Sequence, residues 1–157
     1  MNPAPNFAPI LDRSPTEVEK PKPLPQGSYV TILKGMPKYD KSTKKQTEYV
    51  EFTHQIVSAG GDVDEDALTE AQTAPDGSVR ALQDVTIRNT YYLTENSLWR
   101  LKQFLADCGF DVEEEGGSFR QMIEETPGVS VGIYVKHEPS SDGQSVFATV
   151  SGTFQAA

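Results

Sequence analysis

Residues 82–110 constrain the fold most, because a strand pattern and a helix pattern meet within them. Up to Tyr92, apolar and polar residues alternate, which predicts a half-buried β-strand. Beyond Thr94, apolar residues recur three or four positions apart, which predicts an amphipathic helix that ends at Gly109. This chain therefore has to pack a helix against a sheet near the middle of its sequence.

The helix is predicted to run from residue 94 to residue 108. Thr94 is the expected N-cap, since a threonine hydroxyl accepts a hydrogen bond from a free N–H of the first turn, and Glu95 adds favourable negative charge there. Trp99 and Phe104 broaden the apolar stripe. We expect both in the core, together with Cys108, which has no histidine in its segment and is interpreted as a packing residue.

Four further strands are predicted around this unit, two before it and two after it. They span residues 27–36, 46–57, 129–137 and 145–154. A lysine-rich loop, residues 38–45, joins the first pair as a long hairpin, and Asp142-Gly143 forms the turn of the last pair. A capping box that starts at Ser118 predicts a short second helix.

The order of three strands, a helix and two strands predicts a mainly β protein, a five-stranded OB-like Greek-key barrel with the helix between its third and fourth strands. Residues 25–157 are the expected domain. Residues 1–24 are rich in proline, which cannot donate a backbone hydrogen bond, and are predicted to form a disordered arm. Residues 58–81 form an acidic insertion, in which we expect a short helix capped near Asp62 or Asp64.

The sequence carries little sign of catalysis or of membrane insertion. It has no phosphate-binding loop, metal-ligand spacing or nucleophile motif, which predicts a protein that is not an enzyme and that uses no metal or cofactor. It has no run of about 18 apolar residues and no secretion signal. The one cysteine suits a reducing compartment. We expect a cytoplasmic protein that does not enter a membrane.

The net charge of −9 opposes nucleic-acid binding, but the charge is unevenly distributed. Seven lysines and one acid lie between residues 20 and 45, whereas acids dominate residues 62–76 and 111–125. Proteins that bind single strands stack bases on exposed aromatic rings, while Lys and Arg neutralise phosphates. The predicted DNA-binding residues are Lys34, Lys38, Tyr39, Lys41, Lys44, Lys45, Tyr49, Arg88, Tyr92, Tyr134 and Lys136.

Several segments carry a resemblance to a protein family. Residues 24–30, LPQGSYV, are similar to its L-P-x-G-x-Y start, and residues 49–52, YVEF, to its second strand. Residues 100–109, RLKQFLADCG, resemble its R-L-K-x-F-x-x-x-x-G helix, and residues 128–132 resemble its fourth strand. Over residues 24–154 the chain thus resembles small bacteriophage single-stranded DNA-binding proteins encoded among replication and recombination genes.

This resemblance implies an OB-like barrel that binds single-stranded DNA without sequence preference. It implies action in phage DNA replication or recombination, in the cytoplasm of the bacterial host. The expected partners are single-stranded DNA and phage replication or recombination proteins, and self-association into a homo-oligomer is also compatible with the sequence.

Two other interpretations stay open at this point. A structural or assembly module of a phage particle fits the net charge and the proline-rich start. An enzyme whose site is assembled from scattered carboxylates is the third possibility. In the DNA-binding interpretation, the acidic insertion 58–81 would compete with DNA for the binding groove.

Overall fold

A computed structural model describes residue 11 and residues 14–15, 22–74 and 76–156 of the chain. It is mainly β, with one antiparallel six-stranded sheet. The strands are β1 (Gly27–Leu33), β2 (Lys38–Lys41), β3 (Glu48–Ala59), β4 (Thr86–Tyr92), β5 (Ser130–Pro139) and β6 (Val146–Phe154). The helices are α1 (Glu65–Gln72), α2 (Leu98–Asp107) and α3 (Phe119–Glu124), and a 3-10 turn spans Leu82–Asp84.

Strand β3 is the centre of the sheet and pairs along both of its edges. One edge pairs with β2 at the start of the strand and with β1 at its end, and the other edge pairs with β4. The free edge of β1 pairs with β5, and β5 pairs with β6. The order across the sheet is therefore β4-β3-β1-β5-β6, and β2 continues the line of β1 along β3.

The sheet curls but does not close into a barrel. Its two outer strands, β4 and β6, approach each other with Cα–Cα distances of 8 Å or less. Within the described ranges, no backbone ladder joins them. The expected closed five-stranded barrel is therefore replaced by an open sheet with a cleft between its outer strands.

The predicted hairpin is present, but its loop is shorter than expected. Residues 38–41 were expected in the loop, and they form β2 instead, because they meet the otherwise unpaired start of β3. Gly35, with φ of 72°, and Pro37 interrupt the strand between β1 and β2, as the sequence predicts. Only residues 42–47 remain as the hairpin tip.

The core lies on one face of the sheet, here called the inner face, and consists of two clusters. In the first cluster, α2 and α3 cover the sheet through Leu101, Phe104, Leu105 and Ile123, which pack against Leu33, Val50, Phe52 and Val131. The second cluster contains Leu24, Tyr29, Ile56, Val63, Val85, Ile133 and Val135. The predicted alternation of β3 and β5 is confirmed, since Val50, Phe52, Ile56, Val131, Ile133 and Val135 are all buried.

The acidic insertion folds onto the second cluster. Val63 is buried there and Leu68 packs against the cluster. Helix α1 begins at Asp64, one of the two predicted caps, whose carboxylate accepts a hydrogen bond from the Ala67 N–H at 3.0 Å. Most of the predicted arm 1–24 lies outside the described residues. Its last residues belong to the folded domain, because Leu24 is buried and Lys22 forms a 2.7 Å ion pair with Glu70.

Helix α2 starts later than predicted and turns the predicted stripe, with Leu101, Phe104 and Leu105, to the core, but not Trp99. The backbone N–H groups of Ser97 and Leu98 both donate to the Thr94 carbonyl, so residues 94–97 form a turn and the N-cap is Ser97. Trp99 was expected in the core, but its side chain is 63% exposed. Residues two positions apart on a helix point in nearly opposite directions, so burial of Leu101 places Trp99 outside.

The pairing of β5 with β6 generates the first prediction. Phe154 lies opposite Gly132, and its ring occupies the space where a Cβ at residue 132 would stand. Gly132→Ala should therefore lower the free energy of unfolding by about 1–3 kcal/mol, as overpacking does. Gly152→Ala is the matched control, because a Cβ there meets only the Tyr134 ring at 3.6 Å. Urea unfolding of both variants tests this, and equal stabilities would contradict it.

Candidate nucleic-acid interface

The face of the sheet opposite the core, here called the outer face, carries part of the predicted site. Residues directly opposite each other in an antiparallel ladder share a face. In β3 the outer residues include Tyr49, Glu51 and Thr53, and their partners in β4 are Tyr92, Thr90 and Arg88. Every second side chain of β3 and of β4 therefore points outward, and the outward side chains of the two strands lie next to each other.

Tyr49 and Tyr92 form an aromatic pair on this face. Their ring centroids are 5.9 Å apart with an interplanar angle of 72°, an edge-to-face arrangement. Tyr92 is exposed, whereas Tyr49 is half-buried. Desolvation raises the pKa of the Tyr49 hydroxyl, and the nearby carboxylates of Asp40 and Glu51 raise it further. The Tyr49 hydroxyl is therefore neutral at physiological pH and adds no negative charge to the face.

Three predicted cations lie on the same face. Lys38 is opposite Glu51, and Arg88 is opposite Thr53. Lys34 also lies beside Thr53, because its N–H donates to the Thr53 carbonyl at 2.9 Å. The Arg88 Nε is 3.9 Å from a Glu51 carboxylate oxygen, a long and exposed ion pair that fixes little.

Lys44 and Lys45 stand at the hairpin tip beside this face. They line a cleft of about 560 Å³ together with Tyr92. Its other lining residues are Ser42, Thr43, Thr47, Thr94 and Ser97. The tip is held by the Ser42 N–H, which donates to the Thr47 carbonyl at 2.9 Å. None of the residues that line this cleft is acidic, although the chain has 23 Asp and Glu residues.

The other four predicted site residues are placed differently. Tyr39 and Lys41 lie on the inner side of β2, since Tyr39 pairs with the buried Val50. Both line a cleft of about 630 Å³ with Tyr49, and the lining of this cleft also includes the acids Asp40 and Glu48. Tyr134 and Lys136 are exposed on β5. Strand β1 separates β5 from β3, Tyr134 lies opposite Ser28 of β1, and the Tyr134 ring packs against Phe154 rather than against the tyrosine pair.

Two exposed residues near this face, Trp99 and Arg100, are not among the site residues predicted from sequence. The Arg100 guanidinium carbon lies 5.4 Å from the centroid of the Trp99 ring, within the range of a cation–π contact. Helical phase could have found them, because a stripe centred on Leu101 and Leu105 places Trp99 on the other side of the helix. Trp99 was included in the apolar stripe although its position around the helix axis differs from that of Leu101 and Leu105.

The groups with reactive potential are poorly placed for chemistry. Burial raises the pKa of the Cys108 thiol to about 12, with a further contribution from Asp107, so the thiol is protonated and unreactive at neutral pH. Within the described ranges, no three His, Cys, Asp or Glu side chains converge on a metal position. The helices described there are also too short or too polar to span a membrane.

Comparison with known protein families and with characterised proteins finds no match for this chain. The likeness to phage DNA-binding proteins noted from sequence therefore carries no family assignment.

His54 is a buried group of the core rather than part of the interface. Its Nδ1 is 2.9 Å from the Thr31 hydroxyl, which donates in turn to the Val131 carbonyl. Because the Thr31 hydroxyl proton points to the Val131 carbonyl, the Thr31 oxygen can only accept from His54. The protonated ring nitrogen is therefore Nδ1, which donates to Thr31. The Nε2 atom is buried, and no described residue offers it a hydrogen-bond partner. Burial lowers the pKa of His54 to about 4.

This environment predicts a loss of stability in mild acid. Unfolded His54 takes up a proton near pH 6.5, whereas the folded state resists protonation down to about pH 4, so stability falls as the pH drops from 6.5 towards 4. Between pH 7 and pH 5 the contribution is roughly 2 kcal/mol.

Urea unfolding at both pH values measures this loss. His54→Gln should reduce the pH dependence by about that amount, while His137→Gln, which changes the other histidine, should leave it in place. An unchanged pH dependence in His54→Gln would contradict the assignment to His54.

Proposed function

We propose that this protein is a non-enzymatic, OB-like module that binds single-stranded DNA largely without regard to sequence. The pairing pattern supports the fold. If β1 and β2 are counted as one interrupted strand, the sheet has five strands, and α2 lies between the third, β4, and the fourth, β5. The paired strands are then β1 with β3, β3 with β4, β1 with β5, and β5 with β6. An OB fold is a partly open Greek-key barrel of this kind.

The observation that carries the functional proposal is the aromatic pair Tyr49–Tyr92 beside the acid-free lysine cleft. In OB folds, oligonucleotides bind across the second and third strands and the loop between the first two. The corresponding elements here are β3, β4 and the hairpin tip with Lys44 and Lys45. Stacked bases gain about 1–3 kcal/mol each from an aromatic ring, and this gain does not depend on base identity.

The net charge of −9 does not contradict this proposal, because DNA responds to the local field. Twelve of the 23 acids lie in 62–76, around α1, and in 111–125, whereas the tyrosine pair has Lys38 and Arg88 as well as Asp40 and Glu51 on its face. At physiological ionic strength, charges farther than about 8 Å from a phosphate are largely screened. Lys34, Lys38, Arg88 and the lysines of the tip are the proposed phosphate contacts.

The sequence resemblance extends the proposal to a setting. It suggests work on single-stranded intermediates of phage DNA replication or recombination in the bacterial cytoplasm, alongside other replication or recombination proteins. In that setting a coat protein has to bind any sequence, which suits recognition through ring faces and phosphates rather than base edges.

Replacement of one tyrosine tests the proposed face. Tyr92→Ala should weaken binding to oligo-dT by roughly 5- to 150-fold, since it removes one stacking ring. Tyr39→Ala is the matched control, because Tyr39 is also an exposed strand tyrosine but lies on the inner side of β2. Fluorescence anisotropy of a labelled oligonucleotide gives both affinities. Equal affinities of the two variants would contradict the proposed face.

Salt dependence tests the lysine tip separately. Each phosphate neutralised on a single strand contributes about 0.7 to the slope of log affinity against log salt, so Lys44→Ala should reduce the slope by about that amount. Lys102→Ala removes the same charge from α2, where Lys102 is already paired with Glu113 at 2.7 Å, and should leave the slope unchanged. A slope that is the same in Lys44→Ala and the wild type would exclude Lys44 from phosphate contact.

A further inference from the structure

A second cleft lies in the gap between the two outer strands of the sheet. It has a volume of about 390 Å³, and its walls are residues 89–92 of β4, residues 150–153 of β6 and the start of α2. Strands β4 and β6 each have one edge without a ladder partner in the described structure. Backbone N–H and C=O groups along these edges are free to bond to a guest.

The cleft presents a stacking ring at its mouth. Trp99 lines it, is 63% exposed, and has the Arg100 guanidinium 5.4 Å from its ring centroid. A fully exposed indole is unfavourable in water, and indoles and guanidinium groups are both common stacking partners of nucleobases. Gln103 also lines the cleft and adds an amide that can both donate and accept.

The two clefts are neighbours. Tyr92 and Ser97 line both the cleft at Trp99 and the cleft at Lys44 and Lys45. The residues that line them include three cations and no acid, in a chain with 23 acidic residues. Asp107 stands behind the wall, where its carboxylate accepts hydrogen bonds from Thr153 and Gln103. A polyanion leaving the lysine tip therefore meets Tyr92 and then Trp99 without passing an acidic lining residue.

The width of the gap limits what can enter it. An inserted peptide strand needs two strand spacings, about 9.6 Å, between β4 and β6. The Cα–Cα approaches of 8 Å or less between them are too short for that. A flat base that enters from the side of α2 needs only the space between Trp99 and the strand edges.

We propose that this cleft takes one nucleobase of a bound single strand, turned out of the stack and laid on Trp99, with its edge towards the free backbone groups of β4 and β6. The proposal rests on the single-stranded DNA binding proposed above. It adds a site that the strand faces do not contain, and it predicts a modest base preference at one position, because backbone groups bond to base edges.

The intrinsic fluorescence of Trp99 tests the site directly, because Trp99 is the only tryptophan in the chain. Addition of oligo-dT of about 16 nucleotides should quench this fluorescence with the same midpoint as the anisotropy of the labelled oligonucleotide. An abasic oligonucleotide of equal length should bind through its phosphates and leave the fluorescence unchanged.

Affinity measurements on three variants complete the test. Trp99→Ala should weaken oligo-dT binding by about 5- to 150-fold, and Trp99→Phe should restore most of the loss. Phe147→Ala is the matched control, since Phe147 is an exposed aromatic residue of β6 that does not line the cleft. The side chains of Trp99 and Phe147 are exposed, so we expect all three variants to fold. Circular dichroism checks this.

The outcomes separate this proposal from the proposed function. Binding seen by anisotropy with unchanged Trp99 fluorescence, or equal affinities of Trp99→Ala and the wild type, would overturn the base site and leave DNA binding in place. The absence of any anisotropy change with single-stranded DNA would overturn both.

Discussion

The double pairing of β3 is the constraint on which the rest of the structure depends. This strand has 12 residues, and all but Val57 pair on at least one edge, with β1 or β2 on one side and β4 on the other. Residues 49–51, 54 and 55 pair on both edges. Its alternation turns Val50, Phe52 and Ile56 into the core, and in the same step turns Tyr49 outward to meet Tyr92. A shift of one residue would bury the polar face and expose the core, so the register that stabilises the fold also builds the candidate interface.

The acidic residues that dominate the composition are largely used to shape turns. Asp62 accepts hydrogen bonds from the Ser28 N–H and hydroxyl, Asp76 from those of Ser78, and Asp142 from Ser140 and Gln144. These hydrogen bonds, first of all those from the serine hydroxyls, lower the pKa of each carboxyl. These three carboxylates therefore stabilise turns, while Glu48, Glu51 and Arg88 give the strands β3 and β4 a mixed charge.

Local patterns predicted most of the fold, because they report which side of an element is buried. The alternation of β3 and β5, the cap at Asp64 and the hairpin were all read from sequence and are present. A closed barrel is not present. Closure depends on how far β6 curls towards β4, and no local sequence pattern encodes that distance. The site was predicted in part for the same reason: Tyr49, Tyr92, Arg88, Lys34 and Lys38 share a face, whereas Tyr39 lies one residue out of phase in β2. Trp99 was misplaced because it was added to the apolar stripe, although the spacing of Leu101 and Leu105 turns residue 99 away from the core.

The central claim is that the outer face of β3 and β4, with the hairpin tip, binds single-stranded nucleic acid. Anisotropy of matched single-stranded and duplex oligonucleotides over a salt series tests it most directly. The account predicts a clear preference for the single strand, because stacking on Tyr49 and Tyr92 requires unpaired bases, and an affinity that falls linearly with salt on logarithmic axes. Equal affinity for duplex, or an affinity that does not change with salt, would contradict it.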